Sequence, residues 1–68
     1  MSINDYVRGK VIRVVKSKGQ ITRRELLRKL SSTYRARADK QIEMLVSEGI
    51  LAVTKIGTKV LLQLVLDV

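Results

Sequence analysis

The sequence of 68 residues contains no cysteine, no histidine and no proline. Disulfides need cysteine, and ordinary zinc or iron sites need thiolate or imidazole ligands, so we expect neither a cross-link nor a metal, and no cofactor. A chain of this length has interior for one core only, which predicts a single domain over residues 1–68. Its stability must therefore come from side-chain packing within the chain or against a second copy.

Acidic residues are also few. Asp and Glu number 6 against 14 Lys and Arg, which gives a formal net charge of +8. Residues 1–41 hold 12 basic and 3 acidic side chains, whereas residues 42–68 hold 2 and 3. A positive field of this size on a small body attracts polyanions, so nucleic acid is the leading expected partner. The alternative is that the charges only solvate the surface.

Motifs that carry catalytic chemistry are missing. Without His or Cys, catalysis would need a carboxylate pair or an activated lysine, and the six acids stand at scattered positions without motif spacing. There is no glycine-rich phosphate loop either. We therefore expect that the protein is not an enzyme and that it takes no small-molecule ligand.

Long apolar runs are absent too. No stretch approaches the roughly 20 apolar residues that cross a bilayer, and the N-terminus has no apolar signal region. These absences predict a soluble, cytoplasmic protein without a membrane partner, and its basic charge places it with the nucleoid.

The first pattern along the chain is helical and spans residues 3–18. Apolar residues recur every three or four positions, which is typical of an amphipathic helix. Ser2 is placed to cap its start, and Gly19 follows its end. The predicted buried residues are Ile3, Val7, Val11, Val14 and Val15.

A second helix is predicted to begin at Thr22 and to end by Ser31, after the short extended segment Gln20-Ile21. Thr22 and Glu25 have the spacing of a capping box, in which each side chain accepts a hydrogen bond from a backbone amide at the helix start. The helix would bury three leucines, Leu26, Leu27 and Leu30.

A third helix, over about residues 34–48, is predicted from the apolar stripe Ala38, Ile42, Leu45 and Val46. After Gly49 the apolar period changes to two, which indicates strands from Ile50 to Ile56 and from Val60 to Leu66. The segment Gly57-Thr58-Lys59 lies between them and predicts a hairpin. The fold class is therefore α+β.

This order of elements resembles small bacterial and archaeal winged-helix regulators. The stretch from Ala38 to Leu51 is similar to the third helix of that family, its Glu-Gly-Ile turn and its first wing strand, and Ile21 to Leu26 is similar to its second-helix entrance. The resemblance implies a winged helix-turn-helix: three helices, a short strand after the first, and a two-stranded wing. The turn from Leu30 to Ala36 departs from the family because it is about one residue longer and has no glycine.

In that family the third helix enters the DNA major groove and the wing meets the backbone, and the resemblance implies both roles here. The base-reading residues would be Arg37, Lys40 and Gln41, unless this helix face is only solvated. The backbone contacts would be Arg23, Arg24, Ser32, Thr33, Tyr34, Arg35, Lys55, Thr58 and Lys59. Capping by Ser32 or Thr33, plugging of the turn by Tyr34 and a solvated Arg23–Arg24 pair stay open as alternatives.

The expected function is double-stranded DNA binding by a sequence-specific transcription regulator. RNA binding, as in ribosome-associated winged helices, and a protein-interaction module are the alternatives. The last strand is apolar on both faces, and if its edge is open it would expose a patch that monomers avoid. A homodimer through this strand or through the first helix is therefore predicted.

Overall fold

A computed structural model describes residues 2–65 of the chain. The elements are α1 (Ile3–Lys18), β1 (Gln20–Thr22), α2 (Arg23–Arg28), a 3₁₀ helix (Ser32–Tyr34), α3 (Arg35–Ser47), β2 (Leu51–Ile56) and β3 (Lys59–Leu64). The strands form one antiparallel sheet in the order β1-β3-β2. The chain is therefore an α+β fold of helices with a small three-stranded sheet, an arrangement compatible with a winged-helix-like fold.

The first helix has the predicted bounds. Ser2 Oγ accepts a hydrogen bond from the backbone amide of Asp5 at 3.1 Å, and Gly19 caps the other end. Val7, Val11 and Val15 are fully buried because they share one face of the helix. The prediction was wrong for Ile3, which is 51% exposed at the first turn, beyond the reach of the core.

The second helix is shorter than predicted. Thr22 Oγ1 accepts from the backbone amide of Glu25 at 3.1 Å, which confirms the Thr22 half of the predicted capping box. Among residues 2–65 the reciprocal bond, to the Glu25 side chain, is not formed. The helix ends at Arg28, however, three residues before Ser31. Ser31 Oγ accepts from the amide of Thr33 at 3.3 Å and starts the 3₁₀ helix instead. The residues of this 3₁₀ helix occupy the longer turn, and α3 then begins at Arg35.

The sequence predicted a short strand after α1 and a two-stranded wing, and the structure joins all three strands in one sheet. Ile21 of β1 is opposite Leu62 of β3, and Leu62 is opposite Val53 of β2, so β3 is the central strand. The expectation of an open edge on the last strand was therefore wrong, because both of its edges carry a partner. Leu66, predicted to extend this strand, lies outside the described residues.

The hairpin between β2 and β3 is tight. Ile56 pairs with Lys59, so that only Gly57 and Thr58 form the turn. Lys59 thus belongs to β3 and not to the loop.

One core fills the space between the helices and the inner face of the sheet. Val46 was predicted to lie in it, but it is only partly buried at its margin. Across residues 2–65, no helix combines the length and the apolar character that a membrane crossing requires. The buried apolar residues are Val7, Val11, Val15, Ile21, Leu26, Leu30, Ala38, Ile42, Leu45, Leu51 and Leu62.

Gly9 and Gly49 have opposite conformational requirements, which makes a direct test of the fold. Gly9 is helical, and a methyl group there would meet only the Arg13 guanidinium at 4.0 Å, an ordinary contact. We expect Gly9→Ala to stabilise the protein by about 0.5–1 kcal/mol, since alanine is the better helix former. Gly49 has a φ of +78°, so Gly49→Ala should destabilise the protein by roughly 1 kcal/mol. Thermal unfolding of both variants measures these shifts; a lower melting temperature for Gly9→Ala would contradict the helical assignment.

Candidate nucleic-acid interface

The outward side of α3 lies opposite its buried residues Ala38, Ile42 and Leu45. At about 100° per residue, this side carries Lys40 and Glu43. Both are exposed. The first half of the helix is the more basic one, since it also contains Arg35 and Arg37. A polyanion approaching this helix therefore meets its positive end first.

Arg37 and Lys40 lie together, as the sequence predicted. Both are exposed, and they line a shallow groove at the junction of α3 with the start of α1. Arg37 Nη1 donates a hydrogen bond to Asn4 Oδ1 at 3.2 Å, which orients the guanidinium. Asn4 was missed by sequence reasoning. No local signal marks it, because its partner is far away along the chain.

Gln41 is a correction to the predicted base-reading set. Its side chain is only 6% exposed, and it lies on the buried side of α3. Position 41 lies about 60° from Ala38 on the helical wheel, at the edge of the buried stripe. The prediction that it is accessible there was wrong, because the start of α1 packs against this flank of α3.

The two arginines at the start of α2 have different surroundings. Arg23 forms an ion pair with Asp39, which joins α2 to α3. Its charge is therefore already balanced by an acidic partner. Arg24 is exposed and lines a groove of about 500 Å³ opposite Thr58 and Lys59 at the hairpin. The residues of α2 and of the hairpin that were predicted to contact the DNA backbone are thus brought together across this groove.

A second groove, of about 510 Å³, runs between α3 and the inner face of the hairpin. Lys55 lies on its hairpin side, and Glu43 on its helix side. Arg23 and Val60 line both this groove and the one beside Arg24. The surfaces of α3, α2 and the hairpin are therefore continuous.

Two of the residues predicted to contact DNA from the turn before α3, Tyr34 and Arg35, make contacts within the protein instead. Arg35 Nε donates to the Leu27 carbonyl at 3.1 Å, and this carbonyl also accepts from the backbone amide of Leu30 at 3.3 Å. Tyr34 packs against the core, as in the alternative that has it plug the turn. Ser32 and Thr33 are exposed, but the capping side chain is Ser31, so the capping role predicted as their alternative falls to their neighbour.

An ion pair fixes the opposite end of α3. The Arg8 guanidinium donates to both carboxylate oxygens of Glu48, at 2.6 and 2.9 Å. This hydrogen bonding, together with the charge of Arg8, lowers the pKa of Glu48 below its ordinary value. The same bond raises the pKa of Arg8. The pair holds the C-terminal end of α3 against α1.

Sequence reasoning also gave no role to a group of cations on α1. Lys10, Arg13 and Lys18 lie with Lys29 around a depression that neither α3 nor the hairpin lines. Their clustering depends on the placement of α2 against α1, which the order of residues does not reveal.

No protein-family model, curated protein or solved structure matches this chain. The interface is therefore judged on its geometry and charge.

The Arg8–Glu48 pair predicts a pH-dependent contribution to stability. Because the folded-state pKa of Glu48 is lowered, its contribution is present at neutral pH and is lost as the pH falls through that lowered pKa. Glu48→Gln should therefore melt at a lower temperature than the native chain at neutral pH, and the two curves should converge in acid. Glu43→Gln, which removes an exposed carboxylate from the same helix, is the control. A melting difference for Glu48→Gln that persists at low pH would contradict this account.

Proposed function

We propose that this protein is a winged-helix protein that binds double-stranded DNA, with α3 in the major groove. The observation that carries the proposal is the continuous surface from the outward side of α3, past Arg23, to the hairpin. The major groove of B-DNA is about 12 Å wide and admits an α-helix, and a duplex is a polyanion on the scale of this surface. The hairpin then acts as the wing.

Base reading belongs to the first half of α3. Arg37 is exposed and oriented by Asn4, and an arginine donates two parallel hydrogen bonds to O6 and N7 of guanine. Lys40 lies one helical turn further along on the same accessible side. Ala36 is exposed and small, so that the helix can approach the floor of the groove closely. With Gln41 buried, these residues form the base-reading set of the proposal.

Contacts with the DNA backbone come from residues that line the two grooves of the protein surface. Arg24 on α2 faces Lys59 and Thr58 on the hairpin, and Lys55 follows on β2. Cations on either side of a recognition helix bind phosphates and fix its register without reading sequence. Separate residues for reading bases and for binding phosphates support a role as a sequence-specific transcription regulator more than one as a general architectural protein.

A homodimer stays a prediction. The apolar side chains that remain exposed near the hairpin are Val53, Ile56 and Val65, and Ile3 is exposed on α1. Two copies related by a two-fold axis would match a palindromic site with half-sites one helical turn apart. Sedimentation at micromolar concentration distinguishes a dimer from the 7.7 kDa monomer.

The proposal predicts a salt-dependent affinity for duplex DNA. Four cations of this surface have no hydrogen-bond or ion-pair partner among residues 2–65: Arg24, Lys40, Lys55 and Lys59. They give a slope of log affinity against log salt of about −3.6 on a random duplex. Fluorescence anisotropy of a labelled duplex across a salt series measures it. Lys59→Ala should reduce the slope by about 0.9 on every sequence.

After selection of a preferred site, Arg37→Ala should weaken that site by about 1–3 kcal/mol and random duplexes much less.

Two outcomes would overturn the proposal. Absence of duplex binding at low salt would remove the DNA-binding role and leave a protein-interaction module. Tighter binding to the equivalent RNA duplex would also contradict it, because the deep, narrow major groove of A-form RNA does not admit α3.

The Arg23–Asp39 ion pair predicts a gain of affinity. Asp39→Asn removes a negative charge from α3 and frees Arg23 for a phosphate, so the salt slope should steepen by about 0.9 and random-duplex affinity should rise. Glu43→Gln removes a charge from the same helix without freeing a cation, and it should raise affinity with a smaller change in slope. Unchanged binding by Asp39→Asn would show that α2 does not face the duplex.

A further inference from the structure

A second basic surface lies on α1 and at the end of α2. Its cations are Lys10, Arg13 and Lys18 on α1, and Lys29, which follows α2. On the helical wheel of α1, Lys10 stands about 200° from Arg8, which faces α3 through Glu48. The surface is therefore on the flank of α1 that faces away from α3. It is separate from the interface proposed above.

Within residues 2–65, the positive charge of this surface has no acidic side chain paired with it. Arg8 and Arg23, by contrast, each have an acidic partner. Like charges held close together repel, and an anionic partner relieves that repulsion. The surface therefore carries more unbalanced positive charge than α3, where Asp39 and Glu43 alternate with the basic residues.

The cations border a trough formed by two adjoining depressions. One, of about 260 Å³, includes Val14, and the other, of about 120 Å³, reaches Tyr6 and Tyr34. Lys10 and Lys29 line both depressions, so the two are continuous. From Tyr6 to Lys18 the trough follows α1 for about 18 Å, at a rise of about 1.5 Å per residue. It is long enough for several linked anionic groups.

Aromatic side chains mark one end of the trough. The chain has only two aromatic residues, and both are there. The rings of Tyr6 and Tyr34 meet edge to face, with centroids 5.9 Å apart. Tyr34 is anchored in the core and holds its neighbour, while Tyr6 is 45% exposed. An oriented, exposed ring beside a row of cations is a platform for a planar ligand.

We propose that this trough binds single-stranded nucleic acid, with a base stacked on Tyr6 and the backbone phosphates held by Lys10, Arg13, Lys18 and Lys29. Surfaces of this class combine a basic groove with aromatic rings, because every base has a π-face and every nucleotide a charge. A duplex would gain nothing from the ring, since its bases are already stacked on each other. The aromatic end of the trough therefore favours an unpaired strand.

The experiment titrates the full chain with oligothymidylate, with oligouridylate and with a duplex of random sequence. The chain has no tryptophan, so its intrinsic fluorescence comes from the two tyrosines at the trough. We expect the single strands to quench this fluorescence and the duplex to leave it nearly unchanged. Four phosphate contacts predict a salt slope of about −2.8 for a single strand. The DNA and RNA arms distinguish which sugar is preferred.

Variants separate the two surfaces. Tyr6→Leu should weaken binding of a labelled single strand by about tenfold, the size expected for loss of one stacked base, and Tyr6→Phe should retain it. Arg13→Glu should weaken single-strand binding but preserve duplex binding. Lys59→Glu, from the hairpin, should do the reverse. Circular dichroism of each variant verifies that it is folded.

Three outcomes would overturn the inference. The first is equal single-strand affinity of the native chain, Tyr6→Leu and Arg13→Glu. The second is complete displacement of the single strand by duplex, which would show one shared surface. The third is tighter binding and stronger quenching by polyglutamate, which would assign the trough to an acidic protein. Because duplex binding is measured separately, failure of this inference and failure of the proposed function are distinguishable.

Discussion

The buried face of α1 is the surface on which the rest of the molecule assembles. Its three valines, Val7, Val11 and Val15, are spaced four residues apart and fully buried, and α1 contacts α2, α3, β1 and β3. The chain has no cysteine to form a disulfide that would compensate for a lost contact, so α2, α3, β1 and β3 all depend on packing against α1. The position of α1 therefore fixes where α3 can lie and which side of α3 stays accessible. β2 does not need the buried face of α1, because it packs on α3 and pairs with β3.

The two flanks of α1 have different neighbours. One flank carries Asn4 and Arg8, which hold α3 through Arg37 and Glu48. The other flank has no helix against most of its length, and there its cations meet Lys29 at the end of α2. Because α2 stops at Arg28, the chain turns away before it could cover them. The short second helix thus leaves the trough open.

Local signals predicted most of the elements and few of the pairings. The capping residues Ser2 and Thr22 act through neighbours three positions away, so their roles could be deduced from the sequence. The pairing of β1 with β3 joins residues about forty positions apart, and nothing near Ile21 indicates it. The same holds for the Arg23–Asp39 pair, which changes a predicted phosphate contact into a link between helices. The helical wheel places Gln41 only at the edge of the buried stripe, and its burial depends on the packing of α1 against α3, which no local signal indicates.

The distribution of charge gives the two proposed surfaces different properties. On α3, Asp39 and Glu43 are interleaved with the basic residues, so general attraction to phosphate is weaker there than the net charge of +8 implies. Binding at such a surface depends on the fit of particular groups, which favours discrimination between sequences. On the outer flank of α1 the cations have no acidic neighbours paired with them among the described residues, and attraction there depends on charge and stacking, which every nucleotide offers. A molecule with both surfaces would recognise a duplex by its sequence and hold an adjacent unpaired strand without regard to sequence. Because the trough is on the side of α1 away from α3, neither ligand would have to leave for the other to bind.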